Sequence, residues 1–230
     1  MPFICFNAFI MFSSTPANPK TELRQQICPL CHGIGADINK RQHFLCSSCG
    51  GIFLAAEHIL PPDKEKTRYE THNNDVNDPG YQKFVAPIVE RIKKLFTADQ
   101  AGLDFGCGPG PVITKMLHDC GYDIVTYDPY FDSRPERLNA SYDYIVCCEV
   151  IEHFCHPAEE FQRLAGMLKP GGRLICKTHL YEPNTDFSRW YYKNDETHVF
   201  IYQSKTIEFI AQTSGFSSFS IDGRLIEFAR

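Results

Sequence analysis

Four cysteines stand as two pairs, Cys28-Pro29-Leu30-Cys31 and Cys46-Ser47-Ser48-Cys49, with fourteen residues between the pairs. A two-residue gap lets both thiolates of a pair face one ion, and two such pairs complete a tetrahedral sulfur shell. The spacing predicts a closed, structural Zn(2+) site on Cys28, Cys31, Cys46 and Cys49, with an iron centre or a redox disulfide pair as the competing readings. A second constellation is Leu103-Asp104-Phe105-Gly106-Cys107-Gly108-Pro109-Gly110, a short apolar run ending in glycines ahead of a helical pattern. Glycines there let the backbone turn sharply and approach a ligand, and the amides at the following helix start favour an anionic group. Asp128 closes the next apolar run, Asp123–Tyr127, where a carboxylate can accept hydrogen bonds from two ribose hydroxyls.

The glycine loop does not fit the dinucleotide fingerprint. That motif needs a glycine three positions after Gly108, where Pro111 stands, and the third glycine falls one place early at Gly110. Nor does a Gly-Lys-Ser/Thr follow, which excludes the common phosphate loop.

The elements that position these residues follow from periodicity. Tyr81, Phe84, Val85, Ile88, Ile92 and Leu95 recur at helical spacing within Gly80–Phe96, with Pro87 expected to bend or break that helix. Strand-like runs at Ala101–Phe105, Asp123–Tyr127, Tyr142–Cys147 and Arg173–Lys177 alternate with helical stretches at 111–120, 158–168 and 204–213. Asp222-Gly223 between two short apolar runs marks a terminal hairpin. Alternation of this kind predicts an α/β fold with a mainly parallel sheet covered on both faces, its site at the carboxyl ends of the strands. The expected division is a flexible segment at 1–25, a cysteine module at 26–60, a linker and cofactor-site cover at 61–80, and the α/β domain at 81–230.

The net charge of −5 over 230 residues argues against a whole surface built to grip nucleic acid. The segment from Lys20 to Glu70 is close to neutral and holds no run of basic residues. The odd number of cysteines fits a reducing compartment, hence a cytoplasmic location. Met1–Phe12 is apolar but lacks a basic flank and is too short to span a bilayer, so no membrane partner is expected; Met11 is an alternative start.

From about residue 80 onward the chain resembles the class I S-adenosylmethionine-dependent methyltransferases. The matching pieces are LDFGCGPG (103–110), YDIVTYDPY (122–130), YDYIVCCEVIEHF (142–154), LKPGGRLICKTHL (168–180) and TSGFSSFSIDGRLIEFAR (213–230). The resemblance implies a Rossmann-like sheet in the family order 3-2-1-4-5-7-6, with the seventh strand antiparallel. Only thirteen residues separate Asp128 from Tyr142, so the third strand is expected to be short or missing. Asp132 is the acid nearest to where the family holds the adenine amino group. The resemblance further implies that Gly106, Cys107, Gly108 and Gly110 pack against the methionine part of S-adenosyl-L-methionine. Asp104 would orient that loop or meet the ammonium group. Asp128 would take the ribose, Pro129 and Tyr130 would flank the adenine, and Glu149 would lie on the methionine side.

The segment ahead of the first strand often closes over the cofactor in this family, which makes Tyr69, His72 and Tyr81 second-wall candidates. Beyond the fifth strand, an aromatic insertion over the pocket offers Trp190, Tyr192 and Asp195 as substrate contacts. His153, His179, Tyr181 and His198 are candidates for moving a proton, although packing roles are the commoner fate of such residues. No Asn-Pro-Pro-aromatic motif of amino-methylating nucleic-acid enzymes is present. Residues 26–60 also resemble the zinc ribbons ahead of certain ribosomal-RNA guanine methyltransferases. Together these imply methyl transfer to an acceptor that is RNA, protein or small molecule, by a monomer or a dimer. The alternative is a non-catalytic S-adenosylmethionine-binding module acting through its ribbon.

Overall fold

The computed structural model describes residues 26–40, 42–71 and 75–230. The segment 1–25, read from sequence as flexible, and His72 lie outside the described residues.

Among the described residues, eleven strands form two sheets, and five α-helices accompany them. The larger is built from β5 (Gly102–Phe105), β6 (Ile124–Tyr127), β7 (Tyr142–Cys148), β8 (Leu168–Lys177), β10 (Ser218–Asp222) and β11 (Leu225–Ala229), in the spatial order β10-β11-β8-β7-β5-β6. β5, β6, β7 and β8 run parallel, while β11 is antiparallel to β8 and to β10. This is the family order without its third strand. In its place, residues 128 to 139 form an isolated bridge from Asp128 to Asp132 and a short 3-10 turn at Pro135–Asn139. β7 shows why both faces must be covered. Tyr144 and Val146 pack on one side against α2 (Pro79–Leu95) and α3 (Val112–Asp119). Ile145 and Cys147 belong to the opposite core, with α4 (Pro157–Met167) and α5 (Ser204–Thr213). A strand apolar on both faces is what a parallel sheet between helices requires.

Two details differ from the sequence reading: Pro87 does not break its helix, and a helix lies within 61–80. α2 runs unbroken through Pro87, and no break divides it. Its Val85, Ile88, Val89 and Ile92 stay buried on one stripe across the proline, so packing outweighs the single backbone bond that proline removes. The stretch read as linker and cover at 61–80 holds α1 (Pro62–Glu70), nine residues long, with Pro62 at its start and Asp63 and Glu65 in its first turn. No α1 residue is fully buried, so it carries no apolar stripe for periodicity to detect.

The smaller sheet runs β1 (Gln26–Ile27), β2 (Ile34–Asn39), β3 (His43–Cys46), β4 (Ile52–Leu54) and β9 (Phe200–Ile201). The cysteine pairs sit at its turns. Its last strand comes from the far end of the chain, with Phe53 paired to Phe200 and Ile52 to Ile201. Phe44, Phe53 and the buried cysteines share one continuous core with Phe154, Phe161, Phe200 and Tyr202 of the α/β body. The expected discrete ribbon is therefore corrected to a sheet that the α/β body completes. Its own few strands present too little apolar surface to close a core unaided.

Among the described residues, no helix is long and apolar enough to cross a membrane.

Candidate functional site

A cavity of about 570 Å³ opens at the carboxyl ends of β5, β6 and β7. One wall is the glycine loop. Gly106 and Gly108 both take positive φ, 79° and 63°. A Cβ on Gly106 would stand 2.6 Å from the Val150 side chain, so no other residue fits there without displacement. Asp104, 3% exposed, lies beneath the loop and accepts a hydrogen bond from Thr114 Oγ1 at 2.8 Å, tying β5 to α3. Burial raises its pKa to about 6. Gly106, Cys107, Gly108 and Pro109 line the cavity, while Gly110 is buried and Asp104 does not reach it.

Asp128 follows β6 at the next position along the rim. Its Oδ2 accepts from Gly108 N at 3.0 Å, and its Oδ1 from Tyr130 N at 2.8 Å and Phe131 N at 3.0 Å. These bonds fix the two loops together, and burial raises the carboxyl's pKa despite them. A carboxylate has about four acceptor sites, so three amides leave capacity for a hydroxyl. Pro129 and Tyr130 line the cavity beside it. Asp132 does not: it accepts from Thr126 Oγ1 and from Arg137, and pairs with Arg134 at 2.8 Å. That acid is spent on bracing the abbreviated loop where the third strand would stand.

The facing wall comes from α1 and the segment after β8. Glu65 ties them to the glycine side, accepting from the Tyr130 hydroxyl at 2.6 Å and the Tyr69 hydroxyl at 2.9 Å. Arg68 reaches Asp195 at 2.7 Å. Burial pushes Asp195 up, but hydrogen bonds from Thr197 and the charges of His198 and Arg68 outweigh it, leaving a pKa of about 2. Tyr69, Tyr81, Tyr192, Asp195, His153 and His198 all face the cavity.

At the base, Tyr192 bridges two acids, donating to Glu152 Oε1 and lying 3.2 Å from Glu149 Oε2. Glu149 sits at a left-handed φ of 52° and is held through both oxygens by Arg224 at 2.9 Å. Burial and then the Glu152 charge lift Glu149 to about 7, against the pull of Arg224. Glu152 is 0% exposed. The rings of His153 and His198 stack edge to face at 5.0 Å.

Besides Asp104 and Gly110, three more sequence candidates stay outside the cavity. His179 packs on Trp190 and Tyr191, and the Tyr181 hydroxyl donates to the Thr185 carbonyl. Trp190 is buried against Tyr181 and Phe187 in a satellite core. None of them lines the cavity. Conversely, Glu65, Arg68, Glu152 and Arg224 were not anticipated. Glu152 stands three positions after Glu149 and beside His153, a clustering of carboxylates and imidazole that was legible in principle. Glu65, Arg68 and Arg224 carry no such signal.

At the second candidate site, Cys28 Sγ and Cys49 Sγ are 3.6 Å apart, and Cys31 Sγ and Cys46 Sγ 3.4 Å. Disulfide sulfurs stand about 2 Å apart, so no bridge joins these pairs. Zinc–sulfur bonds of about 2.3 Å place tetrahedral sulfurs about 3.8 Å from one another, close to what is seen. The two knuckles repeat each other: Gly33 N points at Cys31 Sγ and Gly51 N at Cys49 Sγ, both at 3.4 Å. All four sulfurs lie within 4.8 Å.

The strand order with one antiparallel member, the glycine loop after β5 and the acid after β6 define a class I methyltransferase fold. The model of the Methyltransferase domain family matches residues 79–220, and the chain belongs to that family. Among curated proteins it is similar to the ubiquinone biosynthesis O-methyltransferase of Photorhabdus laumondii, 30% identical over 81 residues. That match covers 35% of this chain and 34% of the relative, so the chain matches about a third of the length of this relative. Among solved structures it is similar to an O-methyltransferase family protein from Burkholderia thailandensis, with a TM-score of 0.51 and 13% identity over 72% of this chain and 61% of that one. A SAM-dependent methyltransferase from Archaeoglobus fulgidus gives 0.50 and 16%, over 65% and 94%. At these identities the structures attest the fold.

Proposed function

We propose that the protein is an S-adenosylmethionine-dependent methyltransferase whose cofactor lies along the Gly106–Gly110 loop. The observation that carries this reading is the shared geometry of Gly108 and Asp128, one loop amide bonded to the acid that ends the neighbouring strand, beside an open cavity. The bound cofactor supplies a methyl group already attached to a good leaving group, a sulfonium. The chain's own work is alignment of donor and acceptor and exclusion of water. Gly106, Cys107 and Gly108 would meet the methionine part, with Glu149 and Tyr81 opposite. Asp128 would hold the ribose, and Pro129 and Tyr130 the adenine edge. Glu65, bonded to both Tyr130 and Tyr69, would hold α1 over the cofactor as a cover. Tyr192, Asp195, His153 and His198 are left to face the acceptor.

The cysteine cluster fits Zn(2+) by sulfur separation and by the paired amide–sulfur contacts, and we assign it a structural role in the domain layout 26–60. Calorimetry with S-adenosylhomocysteine, followed by turnover on mixed acceptor pools, tests the main reading. Asp128→Ala is expected to weaken binding more than about tenfold, since buried hydroxyls lose a charged acceptor. Unchanged affinity in that variant would remove the assignment.

A further inference from the structure

Three ties run from the second cysteine knuckle, residues 46–50, toward the wall of the cavity that faces the glycine loop. The first is polar. Gln203 Nε2 donates to the Gly50 carbonyl at 2.7 Å, and Lys205 Nζ donates to the Ser47 carbonyl at 2.7 Å. Gln203 also caps α5, where its side chain and that of Thr206 each accept from the other's backbone amide. A Cβ on Gly50 would stand 3.3 Å from the Lys205 stem, so knuckle and helix start are in close contact.

The second tie is β9. Ile52 and Phe53 pair with Ile201 and Phe200, and the Phe200 ring occupies the space a Cβ on Gly51 would need. Just ahead of β9, Val199 accepts from Leu54 N at 2.9 Å and donates to the Glu152 carbonyl at 3.0 Å. The residue before it, His198, lines the cavity. The third tie is apolar. Ile52 and Ile201 pack with Phe187, Trp190 and Tyr192, and the rings of Trp190 and Tyr192 lie 5.3 Å apart. Tyr192 lines the cavity in turn, and its carbonyl accepts from Nδ1 of His198 at 2.7 Å. The glycine wall has other supports, since Asp128 is held by the amides of Gly108, Tyr130 and Phe131.

We propose that the second cysteine knuckle positions the acceptor wall: Gln203 and Lys205 anchor the segment 198–205 on it, and that anchor sets the places of Tyr192 and His198 in the cavity. The inference rests on the methyltransferase reading only for calling this wall the acceptor's. Zn(2+) on the four cysteines would make the knuckle a fixed point, because a closed tetrahedral site leaves its ligands little freedom. Every link from there to Tyr192 is a packed or hydrogen-bonded contact, and a close-packed interior passes a displacement on. Gln203 and Lys205 do not line the cavity. They are positioning residues that act through β9 and Ile52.

The test uses the full chain, loaded with zinc and carrying Gln203→Glu and Lys205→Met together. Glutamate keeps the oxygen that caps α5 and loses the donor to Gly50, while methionine keeps an apolar stem and loses the ammonium. The single tryptophan, Trp190, is 8% exposed and reports on the wall through acrylamide quenching of its fluorescence. Its quenching constant is expected to rise about twofold or more as the packing around it loosens. The ring resonance of His198, identified by its absence in His198→Gln, is expected to shift. Affinity for S-adenosylhomocysteine in calorimetry is expected to stay within about twofold of the parent chain's. If either reporter is unmoved the proposal falls, even where the melting temperature drops. A larger loss of nucleoside affinity also overturns it, because the effect would then not be confined to one wall. A parent chain that binds no S-adenosylhomocysteine, with both reporters moved in the variant, keeps the anchor and loses the methyl-donor reading.

Discussion

The two walls of the cavity are made in different ways. The glycine wall is local: Gly106, Gly108 and Asp128 come from two adjacent strand ends, braced from beneath by Asp104, and work largely through backbone amides. The facing wall is assembled from afar. Arg68 meets Asp195, and Arg224 meets Glu149, through side chains brought together only by the finished fold. Backbone geometry tolerates almost no substitution, whereas a side-chain contact at a half-open rim can be lost singly. Damage to the first wall should therefore be severe and insensitive to salt, and damage to the second graded and screened.

The largest effect expected lies in neither wall. With the cysteine cluster holding zinc as proposed, Cys46→Ser or a chelator takes away the closure of the smaller sheet, whose buried cysteines share a core with Phe200 and Tyr202. We expect loss of cooperative melting, because structural zinc contributes on the order of 10 kcal/mol to small sites. A zinc-free chain that melts normally would contradict this.

Next comes Gly106→Val. A left-handed φ costs a side-chain-bearing residue about 1–2 kcal/mol, and the clash with Val150 adds about 1–3 kcal/mol more. Cofactor affinity is expected to fall more than a hundredfold, measured by calorimetry at low and high salt with the same result.

The third prediction concerns pH. Asp104 titrates near 6 in the fold, above the ordinary aspartate value. A raised carboxyl pKa means that the folded state holds its proton longer than the unfolded chain does. Stability from this group is thus fully present below pH 4 and declines as pH rises through 6. The decline amounts to roughly 3 kcal/mol at 1.36 kcal/mol per unit. Denaturant melts of Asp104→Asn should lack that slope between pH 4 and 6; an identical slope would show that the acid is not the source.

Smallest is Arg68→Ala. Its partner Asp195 is only partly buried, and Arg68 is about a third exposed, so the pair is worth at most about 1 kcal/mol after screening. A few-fold rise in the cofactor's KM, vanishing at high ionic strength, is the expected result. A change as large as that of Gly106→Val would erase the contrast between the walls.

This contrast also explains what the sequence disclosed. Glycine placement, strand alternation and the Asp222-Gly223 turn are short-range signals, and they led to the larger sheet with its missing third strand. The cysteine spacing disclosed the metal-type cluster for the same reason. α1 escaped notice because a helix that spends Glu65, Arg68 and Tyr69 on a polar cavity has no apolar stripe to betray it. Trp190 and Tyr181 misled in the opposite sense. Aromatics in an insertion read equally well as a substrate wall or as packing, and the satellite core with Phe187 decided for packing. The pairing of β4 with β9 had no local trace, since nothing in Ile52–Leu54 names its partner.

That pairing has a consequence for the order in which the protein can be made. Phe53 and Phe200 are joined across about 150 positions, a contact of high order that only a nearly complete chain can form. During synthesis, therefore, the cysteine turns and β4 emerge early and wait with an unpaired edge. The aromatic ring that fills the space over Gly51 arrives late, ahead only of α5, β10 and β11. A ribosome-bound chain halted before Phe200 would carry an open strand edge, a natural place for a chaperone to hold it.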